Sequence, residues 1–281
     1  MGVSITQDVG RDYCDFEGVD PHFNLRPLKA TYWADFATEF TVTCQEKSLT
    51  VPVWYAHLGL LKLCKQYDFH YVLDLGSNEG LEAHIFDHIG KECIACEPNH
   101  NIQPALPGQY QVRPPDIPRN YEEVNFTRKF DAIWCSHVLE HIRNPGHFLD
   151  KVYDDLKYGG ILAISVPFND FNDSSLTSLI LGHINKYNQW LLLYQLICAG
   201  FDCREASFAI YSGQITVIVR KIPNNIIRSS AGLFSPFPPE KKYPPEEASS
   251  IEPRIYDFFP VEWTSPCLDN PTAFLNWGKP I

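Results

Sequence analysis

Two groups of residues in this sequence have types and spacings suited to chemistry, and a third has the spacing alone. In Asp74-Leu75-Gly76-Ser77-Asn78-Glu79-Gly80, two glycines four apart let the backbone turn tightly and come close to a ligand, because neither carries a Cβ. Glu97 ends the apolar run Cys93-Ile94-Ala95-Cys96, about twenty residues past the first glycine. A carboxylate so placed can accept hydrogen bonds from both ribose hydroxyls of an adenosine. Cys93-x-x-Cys96 has the spacing of a redox or zinc pair, but it lies inside an apparent strand with no second pair nearby, so it reads as two buried strand cysteines.

The elements that must position these groups follow from the pattern around them. Tyr71 to Leu75 is a short apolar run that breaks into the glycine turn, and Leu81 to Ile89 follows as an amphipathic helix stopped by Gly90. Strand, turn, helix, strand and acidic residue together make a nucleotide-binding α/β unit. A dinucleotide fold would carry Gly-x-Gly-x-x-Gly at the turn, and this chain does not. Upstream, residues 38–51 alternate as one or two short strands, and residues 52–66 have helical spacing with Pro52 in the first turn. Downstream, Tyr110-Gln111-Val112-Arg113 reads as a third strand ending near Asp116-Ile117, amid five prolines between positions 104 and 118. A buried strand then runs into Cys135-Ser136-His137, a helix spans about Gly146 to Leu156, and Ile161 to Pro167 is another strand. An apolar helix from Trp190 to Ala199 precedes a hairpin, residues 201–209 with 214–220.

Asp-Leu-Gly-Ser-Asn-Glu-Gly at positions 74–80 resembles the Asp-x-Gly-x-Gly-x-Gly signature of class I S-adenosylmethionine-dependent methyltransferases, with Asn78 at the middle glycine. Residues 130–141, Phe-Asp-Ala-Ile-Trp-Cys-Ser-His-Val-Leu-Glu-His, resemble the fourth strand and following turn of the type 11 and type 23 methyltransferase families. Asn144-Pro145, Gly159-Gly160 and the strand ending at Pro167 continue the likeness, which covers about residues 70 to 221. It implies an α/β fold: a Rossmann-like, seven-stranded, mostly parallel sheet with an antiparallel edge hairpin and helices on both faces. It also implies S-adenosylmethionine as cofactor, held by Asp74, Gly76, Ser77, Asn78, Gly80, Glu97, Pro98, Asp116, Ile117, Cys135 and Ser136. Asn78 tolerates left-handed backbone angles better than most residues, so the turn survives the substitution. In such enzymes an imidazole beside the acceptor removes its proton, which makes His137, His183 and His141 the catalytic candidates. No metal is expected. Asp170 and Asp173 offer oxygen ligands after the fifth strand, but the fourth ends in Cys-Ser-His without a carboxylate.

Composition bounds the rest. With 44% hydrophobic and 14% aromatic residues the chain supports a sizeable core, while a net charge of -11 disfavours nucleic acid and anionic membrane as partners. No secretory leader or membrane span is apparent, and nine scattered cysteines suit reduced thiols, so a cytoplasmic, soluble protein is expected. Three segments are expected: residues 1–69, an N-terminal cap and leading helix; 70–221, the cofactor-binding core; and 222–281, an arm holding half of the 22 prolines among many aromatics. The arm is expected to pack on its own domain or on a partner, including a second copy of the chain. The expected function is O-methylation of a hydroxyl on a sugar, glycan or small polar metabolite. The alternatives are a protein or amine acceptor, or a catalytically silent scaffold that uses the arm to bind a partner.

Overall fold

The computed structural model describes residues 14–17, 38–44, 47–53, 56–99, 114–168, 182–211, 213–222, 258, 273–275 and 277. Strands β1 (Cys14–Glu17), β2 (Thr38–Cys44) and β3 (Lys47–Val53) form a small antiparallel sheet. The expected helix over residues 52–66 is shorter than its periodicity suggests. α1 spans His57–Gln66, and Pro52 lies in β3, opposite Glu39. β3 is an edge strand, where a residue without an N–H is tolerated.

The main sheet has the order β10–β8–β9–β7–β6–β4–β5. Its strands β4 (Tyr71–Leu75), β5 (Glu92–Cys96), β6 (Phe130–Ser136) and β7 (Leu156–Pro167) run parallel to one another. β8 (Ser207–Tyr211) and β9 (Gln214–Arg220) form the expected hairpin, β9 antiparallel to β7, and β10 (Ala273–Leu275) closes the far edge antiparallel to β8. The expected strand at 110–113 lies outside the described residues; among the described residues beyond β5, Ile117 makes a parallel bridge to Cys96. Among the described strands of this sheet, the seventh, β10, comes from the C-terminal arm.

Pleating divides the sheet's apolar residues between two cores. Val72, Ala132, Trp134, Ile161, Ala163 and Ile218 pack with α1 and α2 (Leu81–His88) on one face. Leu73, Ile133, Cys135, Leu162, Ile164 and Val217 pack with α3 (Pro145–Asp155) and α4 (Gln189–Cys198) on the other. Both outer helices start at asparagine caps, Asn144 accepting from His147 N and Asn188 from Leu191 N. The Phe-Asp that opens β6 acts as a strut: the Asp131 carboxylate accepts from the Tyr71 backbone N–H at 2.8 Å and from Lys157 Nζ at 2.5 Å, tying β6 to the starts of β4 and β7.

The described residues of the arm pack on their own domain. Besides the β10–β8 pairing, Cys203 N donates to Phe258 O at 3.1 Å, and the buried Lys62 donates to Trp277 O at 2.7 Å. No helix among the described residues is long and apolar enough to cross a membrane.

β4 has β5 on one side and β6 on the other, and the connections leave it in opposite directions. In open α/β sheets, this reversal of strand order opens a crevice beyond the carboxyl ends of the strands.

Candidate active site

A cleft of about 1160 Å³ occupies that position. Its lining comes from the end of β4 (Asp74), the turn after it (Gly76 to Glu79), the end of β5 (Glu97 to Asn99), the end of β6 and its following turn (Ser136 to Val138 and Glu140 to Arg143), and His183 and Gln214.

The turn after β4 is held by backbone geometry. Gly76 N and Ser77 N both donate to Cys96 O, at 2.8 and 3.2 Å, and Gly80 N returns to Ser77 O at 2.7 Å. Three of its residues have positive φ: Gly76 at 75°, Asn78 at 44° and Gly80 at 75°. Asn78 thus takes the left-handed conformation that its type was expected to tolerate. At Gly76 space is limiting as well, because a Cβ there would lie 2.2 Å from Val138 Cγ2.

Glu97 faces the same turn across the cleft floor. Its Oε2 accepts from Asn78 N at 3.1 Å and its Oε1 from Asn99 N at 2.9 Å. An ionised carboxylate has about four acceptor positions, so capacity remains for two further donors. Ser77 Oγ is buried and meets no hydrogen bond among the described residues. An orphaned hydroxyl in the turn and an unsaturated carboxylate opposite suit a ligand with an adenosine-like diol and a polar tail, so these residues fit the expected cofactor.

At the end of β6, His137 has φ 56° and both ring nitrogens turned into the fold. Nε2 lies 3.1 Å from Gln214 Oε1 and Nδ1 lies 3.3 Å from Glu140 Oε1. Because Gln214 Oε1 also accepts from Ala56 N at 2.9 Å, it is the amide oxygen that faces the imidazole, and Nε2 carries the proton. Glu140, which Nδ1 faces, is fully buried, and neither of its carboxylate oxygens meets a hydrogen bond among the described residues. His137 lines the cleft, but its nitrogens are committed to these neighbours.

His141 and His183 present their rings to the cleft, with centroids 4.9 Å apart. Burial, more than any neighbouring charge, holds the His183 imidazole below its ordinary pKa. The two histidines are 42 positions apart and meet through Asn185. Its backbone N donates to Glu140 O at 3.0 Å, and its Nδ2 donates to Ile142 O at 2.6 Å and Leu139 O at 3.3 Å.

Glu82, in the first turn of α2, also lines the cleft. Burial, reinforced by Glu79 and opposed by a backbone hydrogen bond and the His137 ring, pushes its carboxyl up to about 7. A folded-state pKa above the unfolded value of about 4.3 means that the folded chain keeps a proton that the unfolded chain has released, so stability falls as pH rises between those values. Glu82→Gln is therefore expected to stabilise the protein by on the order of 2 kcal/mol near pH 8 and to leave it unchanged near pH 4. Urea denaturation at the two pH values checks this.

Of the residues expected from the sequence, Asp74, Gly76, Ser77, Asn78, Glu97, Pro98, Ser136, His137, His141 and His183 line the cleft. Gly80 stands behind it as the N-cap of α2. Three others, Asp116, Ile117 and Cys135, are not among the residues lining it. The Asp116 carboxylate accepts from Ala95 N at 2.7 Å and serves the sheet edge. Ile117 packs against the α3/α4 core, and Cys135 is fully buried in that core, where burial raises its thiol well above the ordinary range. Asn120 and Glu122 line the cleft instead. Asp170 and Asp173 lie outside the described residues. Glu140, Glu82 and Gln214 were missed. Only Glu140 had a local signal, a carboxylate next to His141 just past a strand end.

A family model described as a methyltransferase domain matches residues 56–201, just over half of the chain. A ubiquinone biosynthesis O-methyltransferase of Nitrobacter winogradskyi is 30% identical over 100 residues, covering 34% of this chain and 37% of that protein, so the match spans little more than a third of the relative's length. Among solved structures, a SAM-dependent methyltransferase from Archaeoglobus fulgidus aligns over 59% of this chain and 94% of its own, with 18% identity and a TM-score of 0.44. The 1,6-didemethyltoxoflavin-N1-methyltransferase of Burkholderia thailandensis aligns over 59% of this chain and 77% of its own, with 17% identity and a TM-score of 0.46.

Proposed function

This chain belongs to the methyltransferase domain family, and from that premise we propose that it transfers the methyl group of S-adenosylmethionine to a hydroxyl oxygen of a sugar, glycan or other small polar metabolite. When bound, the cofactor supplies an electrophilic methyl on a sulfonium sulfur. Asp74 and the turn from Gly76 to Gly80 would hold its amino-acid end, and Glu97 its ribose hydroxyls.

What is left to the chain is to orient the acceptor and take up its proton. Orientation alone supplies on the order of 7–11 kcal/mol of barrier reduction in well-aligned systems. The observation that carries the oxygen-acceptor reading is the pair His141 and His183, backed by the Glu140 carboxylate 3.9 Å from His141 Nε2. His141 Nδ1 lies 3.1 Å from Gly182 O, which can only accept, so Nδ1 holds the proton and Nε2 keeps its lone pair. A pocket of lone pairs and negative charge draws a hydroxyl proton, whereas a neutral amine acceptor needs no such help before transfer.

Incubation with S-adenosylmethionine carrying a labelled methyl group and a panel of sugars, glycans, amines and proteins tests the assignment. Label on a hydroxyl oxygen is expected. Label only on nitrogen or on protein would overturn it. The scaffold alternative depends on an arm free to hold a partner, and the described arm residues are engaged with α1, β8 and the loop before β8.

A further inference from the structure

The wall of the cleft formed by the Leu139–His141 turn and His183 contains a charge without adequate compensation. Glu140 is fully buried, and its Oε2 meets no hydrogen bond among the described residues. Its Oε1 lies 3.3 Å from His137 Nδ1 and likewise meets no hydrogen bond among the described residues. An ionised carboxylate taken out of water costs several kcal/mol unless a cation or hydrogen bonds compensate it. We infer that Glu140, His141 and His183 together bind one divalent first-row transition-metal ion.

Three further observations point to the same ligand. The donor atoms of these three side chains all lie within 4.8 Å of one another, with Glu140 Oε1 and His141 Nε2 at 3.9 Å. Ligands about 2.0–2.2 Å from a tetrahedral ion stand about 3.4 Å apart, so shifts of under about 1 Å per side chain close the site. His141 is already oriented as a ligand, because the contact between its Nδ1 and Gly182 O leaves the Nε2 lone pair for a metal, and metal-binding histidines commonly fix their other nitrogen in this way. The Asn185 clamp draws the His183 segment onto the Glu140 turn through three hydrogen bonds. Two imidazoles and one carboxylate suit zinc, cobalt, manganese or iron better than magnesium or calcium, which favour all-oxygen sets. Three protein ligands leave at least one coordination position, and all three side chains line the cleft, so an exogenous oxygen can complete the shell. That this oxygen belongs to the methyl acceptor rests on the methyl-transfer reading, in which the imidazole lone pairs, once on the ion, would ease loss of the hydroxyl proton through it instead of taking that proton directly. Binding of the ion does not rest on that reading.

The test uses the full chain freed of metal with a chelator and titrated with Co²⁺, read by its visible ligand-field absorption, with Zn²⁺ as competitor. One Co²⁺ per chain is expected, displaced by Zn²⁺ and weakened at least about 100-fold in His141→Ala, His183→Ala and Glu140→Gln. His147→Ala, an exposed histidine on α3, is expected to bind as the wild type does. Circular dichroism of the metal-free proteins checks folding. If the buried Glu140→Gln variant does not fold, the His183→Ala variant decides. Absence of stoichiometric Co²⁺ binding by the wild type, or undiminished binding by folded His141→Ala and His183→Ala, would overturn the inference. A parallel titration with S-adenosylhomocysteine separates the two readings: cofactor binding without metal removes the ion alone, and metal binding without cofactor removes the methyl-transfer reading and leaves the site.

Discussion

Replacing Gly76 by alanine is expected to destabilise the protein by on the order of 3 kcal/mol, because the new methyl group meets two independent obstacles. The backbone there has φ 75°, a region that costs a residue with a Cβ about 1–2 kcal/mol. The methyl would also lie 2.2 Å from Val138 Cγ2, on the turn that carries Glu140 and His141, so one wall of the cleft must move. Overpacking of this kind typically costs about 1–3 kcal/mol. The two contributions separate in a double-mutant cycle. Val138→Ala makes room for the methyl but leaves the backbone conformation unchanged, so Gly76→Ala in that background should lose only about half as much stability. Denaturant unfolding of the four proteins measures the coupling. A Gly76→Ala protein as stable as the wild type would show that the turn is not packed as described.

Glu97→Ala is expected to weaken binding of S-adenosylhomocysteine about 100-fold, equivalent to about 2.7 kcal/mol. Hydrogen bonds to a charged acceptor are worth about 1.5–3 kcal/mol each, and the carboxylate has room for two hydroxyl donors beyond the Asn78 and Asn99 amides. Both amides lie on exposed residues, so water replaces the lost carboxylate and the fold loses at most about 1 kcal/mol. Glu97→Gln, which keeps one acceptor oxygen, should fall between the two. Ligand-induced shifts in melting temperature across a concentration series give the affinities. Equal affinity in wild type and Glu97→Ala would remove Glu97 from the site.

What the sequence made legible was local. A strand, a glycine turn and a helix occupy residues 71–88 because the apolar run, the left-handed positions and the amphipathic spacing all act within a few residues. The same holds for Glu97 at the end of β5 and for the run from Phe130 into Leu139–His141. What stayed hidden depends on contacts between distant segments. Nothing near His183 announces that Asn185 will clamp it to Glu140, and the full burial of Glu140 shows only in the folded chain. Asp116 sits at the expected point of the chain, and the bond its carboxylate accepts from Ala95 N, next to the Ile117–Cys96 bridge, shows only once the two segments meet. Pro52 suited a helix start as well as an edge strand, and only the pairing partner in β2 decides between them. The arm's contribution of β10 was equally invisible, since three residues paired with β8 carry no periodicity of their own.

Everything proposed for methyl transfer depends on the cleft beyond β4 and β5 being an S-adenosylmethionine site. Calorimetric titration of the purified chain with S-adenosylmethionine and S-adenosylhomocysteine reads this without reference to the acceptor. One site per chain with micromolar affinity for both ligands is expected. A folded protein that gives no binding heat with either ligand would contradict it.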